Sequence, residues 1–414
     1  MTTNCQYWVA SKQRYCKFEA VSSGYCQIHD SGSGDKTRIP CPIDPRHSIY
    51  EKDIESHSRK CSKVVQNRFE ENQPCRRQFC NTAHGSAPSD VPANLACDFP
   101  DSVESWFEFL TEIREKLLSF LGEFTTVISD ESEACTGSTV DLLVPEVDKH
   151  NFQNAALLAL MSKFGRDPTL FVELGCGKAG LTRWLIQTMR SSANMYVVLD
   201  YEARRNKQEN RKDCDIDPDS ILRLRLNITD FDMSQFLYPS VKFHKPLNGF
   251  KTEQIMKVDT FEWRIAELHA KIARVQQRPD WPLPNAVGVA KHLCGPATDY
   301  GLRCLASHAS GLVFATCCHH KCIWSELVGK PILEQTGLTE SHFAQMKAMA
   351  GWATTKSVPE EKRLVGRLVK SVIDLSRIWW IAKNAKFPIA LEYQKYIKDE
   401  ITPENFAIVV RPKQ

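Results

Sequence analysis

The chain has 414 residues, a formal net charge of +3, 42% hydrophobic and 25% charged residues, which suits a soluble protein with one large domain and small appendages. No run approaches the apolar length of a membrane span, and the start "MTTNCQYWVASKQRYCKF" lacks the apolar core of a secretion signal. The expectation is therefore an intracellular, soluble protein of the nucleus, the cytosol or both, in which any nucleic acid is held by local basic patches. Sixteen cysteines in such a chain point to metal ligands or reduced thiols, because reducing compartments disfavour structural disulfides.

The first predicted elements are two small metal modules. Cys5, Cys16, Cys26 and His29 are separated by ten, nine and two residues, within residues 1–32. Cys41, His47, His57 and Cys61 are separated by five, nine and three, within residues 38–64, with the last pair about one helical turn apart. Each is a complete tetrahedral donor set for zinc. Neither segment carries enough apolar residues to fold on burial alone, so metal binding must supply the missing free energy. Cys75, Cys80 and His84 resemble a third set lacking a fourth ligand, which a free pair beside a basic loop explains equally well. Lys12, Arg14, Lys17, Arg38, Arg46, Arg59, Lys60, Lys63, Arg76 and Arg77, with exposed aromatics among them, favour contact with an RNA backbone and its bases.

Residues 65–100 turn Pro-, Ser- and Asp-rich and read as a linker. A helical connector is expected over 101–144, opened by Asp101 or Ser102 and striped by apolar residues at 103, 106, 107, 110, 113, 117, 120 and 121, its Trp and Phe residues being core.

From 145 onward strands and helices alternate. "PTLFVELGCGKAGLTRWL" reads as a buried strand, Leu170 to Leu174, then a glycine turn with Gly175, Gly177 and Gly180 that opens a helix. The turn alone also fits a nicotinamide dinucleotide. Glu173, two residues before the first glycine, suits a ligand with an amino-acid cation and no pyrophosphate, which describes S-adenosylmethionine. A second strand ends in Asp200, placed for ribose hydroxyls, and a third, "ILRLRLNITD", ends near Asn227 and Asp230, either of which would border the adenine. Ala286 to Ala290 forms a further buried strand that breaks into a polar loop with Lys291, His292, Cys294 and Asp299; the next ends in Cys317, Cys318, His319, His320 and Cys322. In open parallel sheets ligands sit at the carboxyl ends of strands, so these crowded ends mark the reaction centre. A helix around "GRLVKSVIDLSRIWWIAKNAKFP" and strands at "ALEYQKYI" and "ENFAIVV" complete the sheet. Lys362, Arg363, Arg367, Lys370 and Arg377, with Arg204, Arg205, Lys207, Arg211 and Lys212, would line a groove for an A-form stem, although Glu202, Glu209 and Asp213 interleave the second group.

"VELGCGKAGLT", "KHLCGPATD", "CCHHKC" and "ITPENFAIVV", behind the two modules, closely resemble the Trm13 family of tRNA ribose 2'-O-methyltransferases. The resemblance covers both fingers and residues 145 to 412. It implies an α/β fold, a Rossmann-like class I S-adenosylmethionine-dependent methyltransferase domain over 145–414 with two small N-terminal zinc modules. It also implies methylation of the fourth nucleotide of the tRNA acceptor stem, with no membrane and no obligate protein partner. The Cys-His-His-Cys module is further similar to a finger that contacts RNA in minor-spliceosome proteins. For a ribose hydroxyl attacking a sulfonium methyl, positioning contributes most. His292 or His319 would accept the proton, Lys291 would hold a phosphate or lower the hydroxyl's pKa, and Asp299 would orient one of them. The family's pattern has an acid where this chain has Asn227, for which Asp230 would substitute.

Three rivals remain. Cys294, Cys317 and Cys318 keep open a cysteine-dependent pyrimidine C5 methyltransferase. The glycine turn keeps open a dinucleotide oxidoreductase, and the zinc modules a non-catalytic RNA-binding adaptor.

Overall fold

The computed structural model of the chain describes residues 4–413 apart from 10–13, 22–23, 27–28, 30–37, 46, 74, 87–98, 123, 125, 130–148, 163, 165–168, 190, 192, 203–206, 209–216, 239–259 and 284. The cations expected at Lys12, Arg46, Arg204, Arg205, Arg211 and Lys212, the acids Glu209 and Asp213, and residues 130–144 of the connector lie outside the described residues, as do the side chains of Arg38 and Lys60. The chain divides into two compact units, Met1–Asn72 and Gln73–Gln414.

In the first unit, β1 (Trp8–Val9) pairs antiparallel with β2 (Arg14–Tyr15). β3 (Arg38–Pro40) pairs with β4 (Ser48–Tyr50), followed by helices α1 (Ile54–Lys60) and α2 (Ser62–Glu71). The buried cluster of the first module consists of Cys5, Cys16 and Cys26, and that of the second of Cys41, Ile49 and Cys61 against Ile39, Ile43, Ile54 and Val64. So little apolar surface cannot offset the chain entropy of ordering such a segment.

The second unit runs α3 (Val103–Leu121), β5 (Thr126–Ser129), α4 (Lys149–Met161), β6 (Thr169–Leu174), α5 (Gly180–Thr188), β7 (Met195–Leu199), β8 (Ile221–Leu224), α6 (Met233–Leu237) and α7 (Thr260–Gln276). It continues with β9 (Asn285–Cys294), α8 (Pro296–Leu305), β10 (Gly311–Cys317), α9 (Lys330–Gln335), α10 (Glu340–Ala350), α11 (Glu360–Asn384), β11 (Ile389–Lys395) and β12 (Phe406–Pro412). The sheet order is β5-β11-β12-β10-β9-β6-β7-β8, parallel throughout except β12, which is antiparallel to both neighbours. The connections reverse direction between β6 and β9, which makes the carboxyl ends of those two strands the switch point where open sheets of this Rossmann-like kind leave a crevice.

Strand alternation divides the core between the two faces. Leu170, Val172 and Leu174 of β6 join a cluster with α3 and α11, while Phe171 joins a second cluster with Leu157, Leu181 and Leu185 of α4 and α5. Helix α3 opens on a capping box in which Ser102 and Ser105 exchange backbone N–H donation to each other's hydroxyls, both at 3.1 Å. Its buried stripe is Trp106, Leu110, Ile113, Leu117 and Leu121. Phe107 and Phe120, expected in the core, are instead 41% and 40% exposed, because they fall to the side of that stripe.

Two expected boundaries shift. β9 runs through Cys294, so Lys291 and His292 sit on a strand end instead of in a loop. Residues 75–82, expected inside a linker, form a turn-rich segment held against residues 228–232: the Arg77 and Asn81 amides donate to the Asp230 and Thr229 carbonyls, both at 2.9 Å.

Candidate functional site

In the first module the hairpin turns Cys5 and Cys16 towards Cys26 and His29. The Cys16 amide donates to the Tyr7 carbonyl at 2.8 Å, and the His29 amide to the Cys26 carbonyl at 2.8 Å. The donor atoms of all four residues lie within 4.8 Å of one another. Sγ of Cys16 and Cys26 are 4.0 Å apart, and His29 Nδ1 is 3.4 Å from Sγ of both Cys5 and Cys26. Tyr7 stacks on the His29 ring at 3.8 Å and fixes its plane.

The second module is built the same way from β3, β4 and α1. Cys41 Sγ is 3.8 Å from Cys61 Sγ and 3.4 Å from His57 Nε2, and His47 Nε2 is 3.1 Å from His57 Nε2. His57 and Cys61 close the last turn of α1, where the Cys61 amide donates to the His57 carbonyl at 2.7 Å. The Asp44 amide donates to Cys41 Sγ at 3.4 Å, and the Asp44 carboxylate stands 3.8 Å from His47 Nδ1, the nitrogen turned away from the donors. Such outer contacts fix ligand orientation. Both quartets fit a tetrahedral zinc ion, whose thiolate edges are roughly 3.8 Å when each Zn–S bond is about 2.3 Å.

At the switch point, Gly175 and Gly177 adopt φ of +66° and +53°, which turn the chain sharply from β6 into α5. A Cβ on Gly175 would stand 2.6 Å from Leu293 Cδ2 on β9, whereas one on Gly177 would meet nothing within 4 Å. The turn is therefore pressed against β9 on one side and open on the other. Asp200, at the end of β7, accepts from the Gly177 amide at 2.7 Å and the Glu202 amide at 2.7 Å. Gly180 opens α5.

Glu173 occupies the face of β6 that carries Phe171, beneath α5. Its carboxylate accepts from the Thr182 amide at 3.1 Å and from the Thr182 hydroxyl in a shorter bond, so it caps α5. Burial pushes its carboxyl up to about 7, against the Thr182 bonds and the charges of Lys291 and Arg223. Glu173, expected to face a ligand cation, is 5% exposed and engaged by Thr182.

Asn227 is exposed and caps the turn Ile228–Asp230, accepting from the Thr229 amide at 3.2 Å. Asp230, expected to border the adenine, serves as an anchor. It ion-pairs with Arg76 at 3.1 Å and accepts from the Phe79 amide at 3.0 Å, which binds residues 75–82 to the domain.

Two residues on α4 that the sequence reading passed over complete the β9 end. Lys291 Nζ donates to the buried Asn154 Oδ1 at 2.6 Å, and the His150 ring lies edge-on to His292 at 6.2 Å. Positions 150 and 154 fall on one helical face, the one local sign that could have found them. His292 itself has φ +66° and is exposed by area. Partial desolvation, followed by the charges of Lys291 and His150, pulls its imidazole down to about 4, so it is neutral at physiological pH.

Beside it, Cys294, Cys317 and Cys318 bring their sulfurs within 4.8 Å of one another. The Cys317 thiol bonded to Cys294 holds the Cys294 thiol down to about 5 and is itself pushed up.

The remaining sequence candidates belong to a buried network. His319 Nε2 is 3.0 Å from Asp374 Oδ1, Asp374 is 3.0 Å from Arg377, and Arg377 is 2.6 Å from Asp299. Thr316 donates to Asp374 at 2.7 Å, and the Val328 amide to Asp299 at 3.2 Å. Asp299 is thus corrected from an orienter of Lys291 or His292 to the partner of Arg377, because α8 points it into the core at 0% exposure. Arg377 is corrected from a groove-lining cation to a core residue, also at 0%. Burial would raise the Asp374 carboxyl, but His319 and Arg377 overcome it and keep the group ionised well below the usual range. Burial lowers His319. His319 still borders two cavities, one of about 510 Å³ lined by Thr316, Asp374, Tyr393 and Arg367, the other of about 470 Å³ lined by His320, Lys347, Lys370 and Glu404. Neither of its ring nitrogens makes a hydrogen bond of good geometry among the described residues, so its tie to Asp374 is one of charge and proximity.

Several of the α11 cations expected to bind RNA are paired: Arg363 and Arg367 with Glu360, and Lys370 with Glu404. Among the described residues no helix is long and apolar enough to cross a membrane.

Residues 152–363 match the family described as methyltransferase TRM13. Residues 3–30 match a Cys-Cys-Cys-His zinc finger found in TRM13 proteins, and residues 38–62 a Cys-His-His-Cys zinc finger of the U11-48K-like kind. The chain is 23% identical to the tRNA:m(4)X modification enzyme TRM13 of Vanderwaltozyma polyspora over 99% of this chain and 97% of that protein. It is 23% identical to the mouse homologue and 24% identical to the human one, in each case over 99% of this chain and 94% of the relative. Both metal modules are therefore zinc fingers.

Proposed function

The chain belongs to the TRM13 methyltransferase family, and from this we propose that it transfers a methyl group from S-adenosylmethionine to the ribose 2'-hydroxyl of the fourth nucleotide in the tRNA acceptor stem. The names of its relatives, tRNA:m(4)X modification enzymes, support tRNA and the position. The ribose oxygen is supported by the groups gathered at the end of β9. One observation carries the reading: Leu174 pairs with Ala290 across β6 and β9, so the glycine turn and the Lys291–His292 end are neighbours.

Gly175, Gly177 and Gly180 shape the turn and leave its open side to the donor, with Asp200 for its ribose and Asn227 beside its adenine. Glu173 acts from beneath by fixing α5. When bound, S-adenosylmethionine supplies an electrophilic methyl on a sulfonium. A ribose hydroxyl holds its proton too tightly to ionise at neutral pH, so a neutral imidazole is useful as the oxygen–carbon bond forms. His292 takes that proton, standing exposed at the end of β9; its lowered pKa keeps it neutral but makes it a weaker base than an ordinary imidazole. Lys291, seated on Asn154, holds positive charge next to the developing oxyanion. His319, gripped by Asp374 and bordering both cavities, positions the nucleotide. The first finger presents Tyr7, Trp8, Tyr15 and Phe18, each at least 46% exposed, as stacking surfaces for RNA.

The test is transfer of labelled methyl to an unmodified tRNA transcript, followed by nuclease digestion and mass spectrometry. The expected product is one 2'-O-methylated nucleoside at position four, with turnover falling roughly 10²- to 10⁴-fold in His292→Ala while donor affinity holds. Label on a pyrimidine base would transfer the reading to a cysteine route through Cys294, Cys317 or Cys318. Absence of label would leave an RNA-binding adaptor.

A further inference from the structure

We propose that Cys294, Cys317 and Cys318 form a third zinc site, in the methyltransferase domain and separate from both fingers. Their three sulfurs lie within 4.8 Å of one another, the same criterion that both finger quartets meet. Cys294 Sγ and Cys317 Sγ are 3.8 Å apart, equal to the Cys41–Cys61 separation in the second finger and close to the 4.0 Å of Cys16–Cys26 in the first. That is the thiolate edge of a tetrahedron with Zn–S bonds of about 2.3 Å.

The convergence is built into the backbone. β9 and β10 pair in parallel with Ala315 opposite Lys291, and a regular ladder would then place Cys317 opposite Leu293. The register instead shifts, skipping His292, so that Thr316 faces Leu293 and Cys317 faces Cys294. His292, at φ +66°, is the extra residue of this bulge. Paired residues in a parallel ladder project to the same side, which brings the first two sulfurs together. Cys318 then takes φ +50°, a left-handed conformation that non-glycine residues seldom adopt, and delivers the third. The two turns are also pressed together: a Cβ on Gly295 would meet the Lys321 carbonyl oxygen at 2.6 Å.

Packing alone would scatter three thiols among apolar neighbours. Here two strained positions and a register shift focus them on one point. Three thiolates supply three of the four ligands of a tetrahedral zinc and leave one position open. Cys294 and Cys318 are only partly buried, so that position has a route to solvent.

Zinc counting on the purified full-length chain, by mass spectrometry after dialysis against metal-free buffer, tests the site. Three equivalents per chain are expected, falling to two in Cys318→Ser and in Cys294→Ser. Titration of Co²⁺ into the metal-stripped, reduced wild-type chain provides a reading that needs no variant: a third equivalent should add thiolate-to-cobalt absorption. Two zinc equivalents in the wild type, with no third taken up from added ZnSO₄ or CoCl₂, would overturn the proposal. So would a disulfide joining two of Cys294, Cys317 and Cys318, mapped by peptide mass spectrometry of the chain purified without reductant, since that would make the cluster a redox pair.

Discussion

In residues Met1–Asn72 the buried clusters are Cys5, Cys16 and Cys26 in one finger, and Cys41, Ile49 and Cys61 in the other. In Gln73–Gln414 cysteines are minor members of a core dominated by Leu, Val, Ile and Phe. Cys75 there behaves as a small apolar residue, its thiol pushed up to about 12 by burial. The same side chain is therefore buried for two reasons: in the fingers because a metal gathers it, at Cys75 because its neighbours are apolar. The fingers depend on an ion for their fold, while the sheet depends on area removed from water.

Removing zinc should break this comparison open most widely. Zinc binding by such modules contributes on the order of 10 to 16 kcal/mol, more than two small clusters can replace. Chelation of the full chain should abolish hydrogen-exchange protection across residues 4–72 while β6, β7 and β12 keep theirs. Protection that survives in the fingers would mean they hold a core of their own, and the comparison would fail. The next largest effect belongs to Arg377→Met. Arg377 is held at 0% exposure between Asp299 and Asp374. Removing it leaves two buried carboxylates without their shared cation, which costs about 3 to 5 kcal/mol. The urea midpoint of the large domain should fall accordingly, with finger protection unchanged. A shift below about 1 kcal/mol would show that water reaches those carboxylates and that this part of the domain is less dry than its core.

What was legible in the sequence divides along the same line. Both zinc quartets could be read because metal chemistry fixes residue type and spacing within a short segment. The strands β6, β7 and β10 could be read because buried parallel strands are continuous apolar runs. The network around Arg377 could not. Asp374 and Arg377 are three apart on α11, but their partners Asp299 and His319 come from other elements, and nothing local marks a helix cation as buried. Residues 75–82 were hidden for a related reason. Asn81 donates to the carbonyls of Ile228 at 2.6 Å and Phe231 at 2.9 Å, long-range pairings that a polar, turn-forming stretch does not announce. His292 was found as a candidate, but its position in a bulge was not, since the register shift depends on β10.

A smaller effect sharpens the view of the large domain as the dry half. Glu173 is 5% exposed, and burial raises its carboxyl from the ordinary 4.5 to about 7, so the folded state prefers the protonated form. The sign follows from linkage: the contribution is fully present below about pH 4.5 and is lost as pH rises through about 7. Above neutrality the buried carboxylate therefore costs the domain roughly 3 kcal/mol. Glu173→Gln keeps an oxygen to accept from the Thr182 amide and hydroxyl but carries no charge at any pH. The variant should match the wild type near pH 4.5 and exceed it progressively up to pH 8, as measured by urea midpoints across that range. Curves that stay parallel would mean the carboxylate is solvated in place and that the tip of β6 is wetter than its geometry indicates.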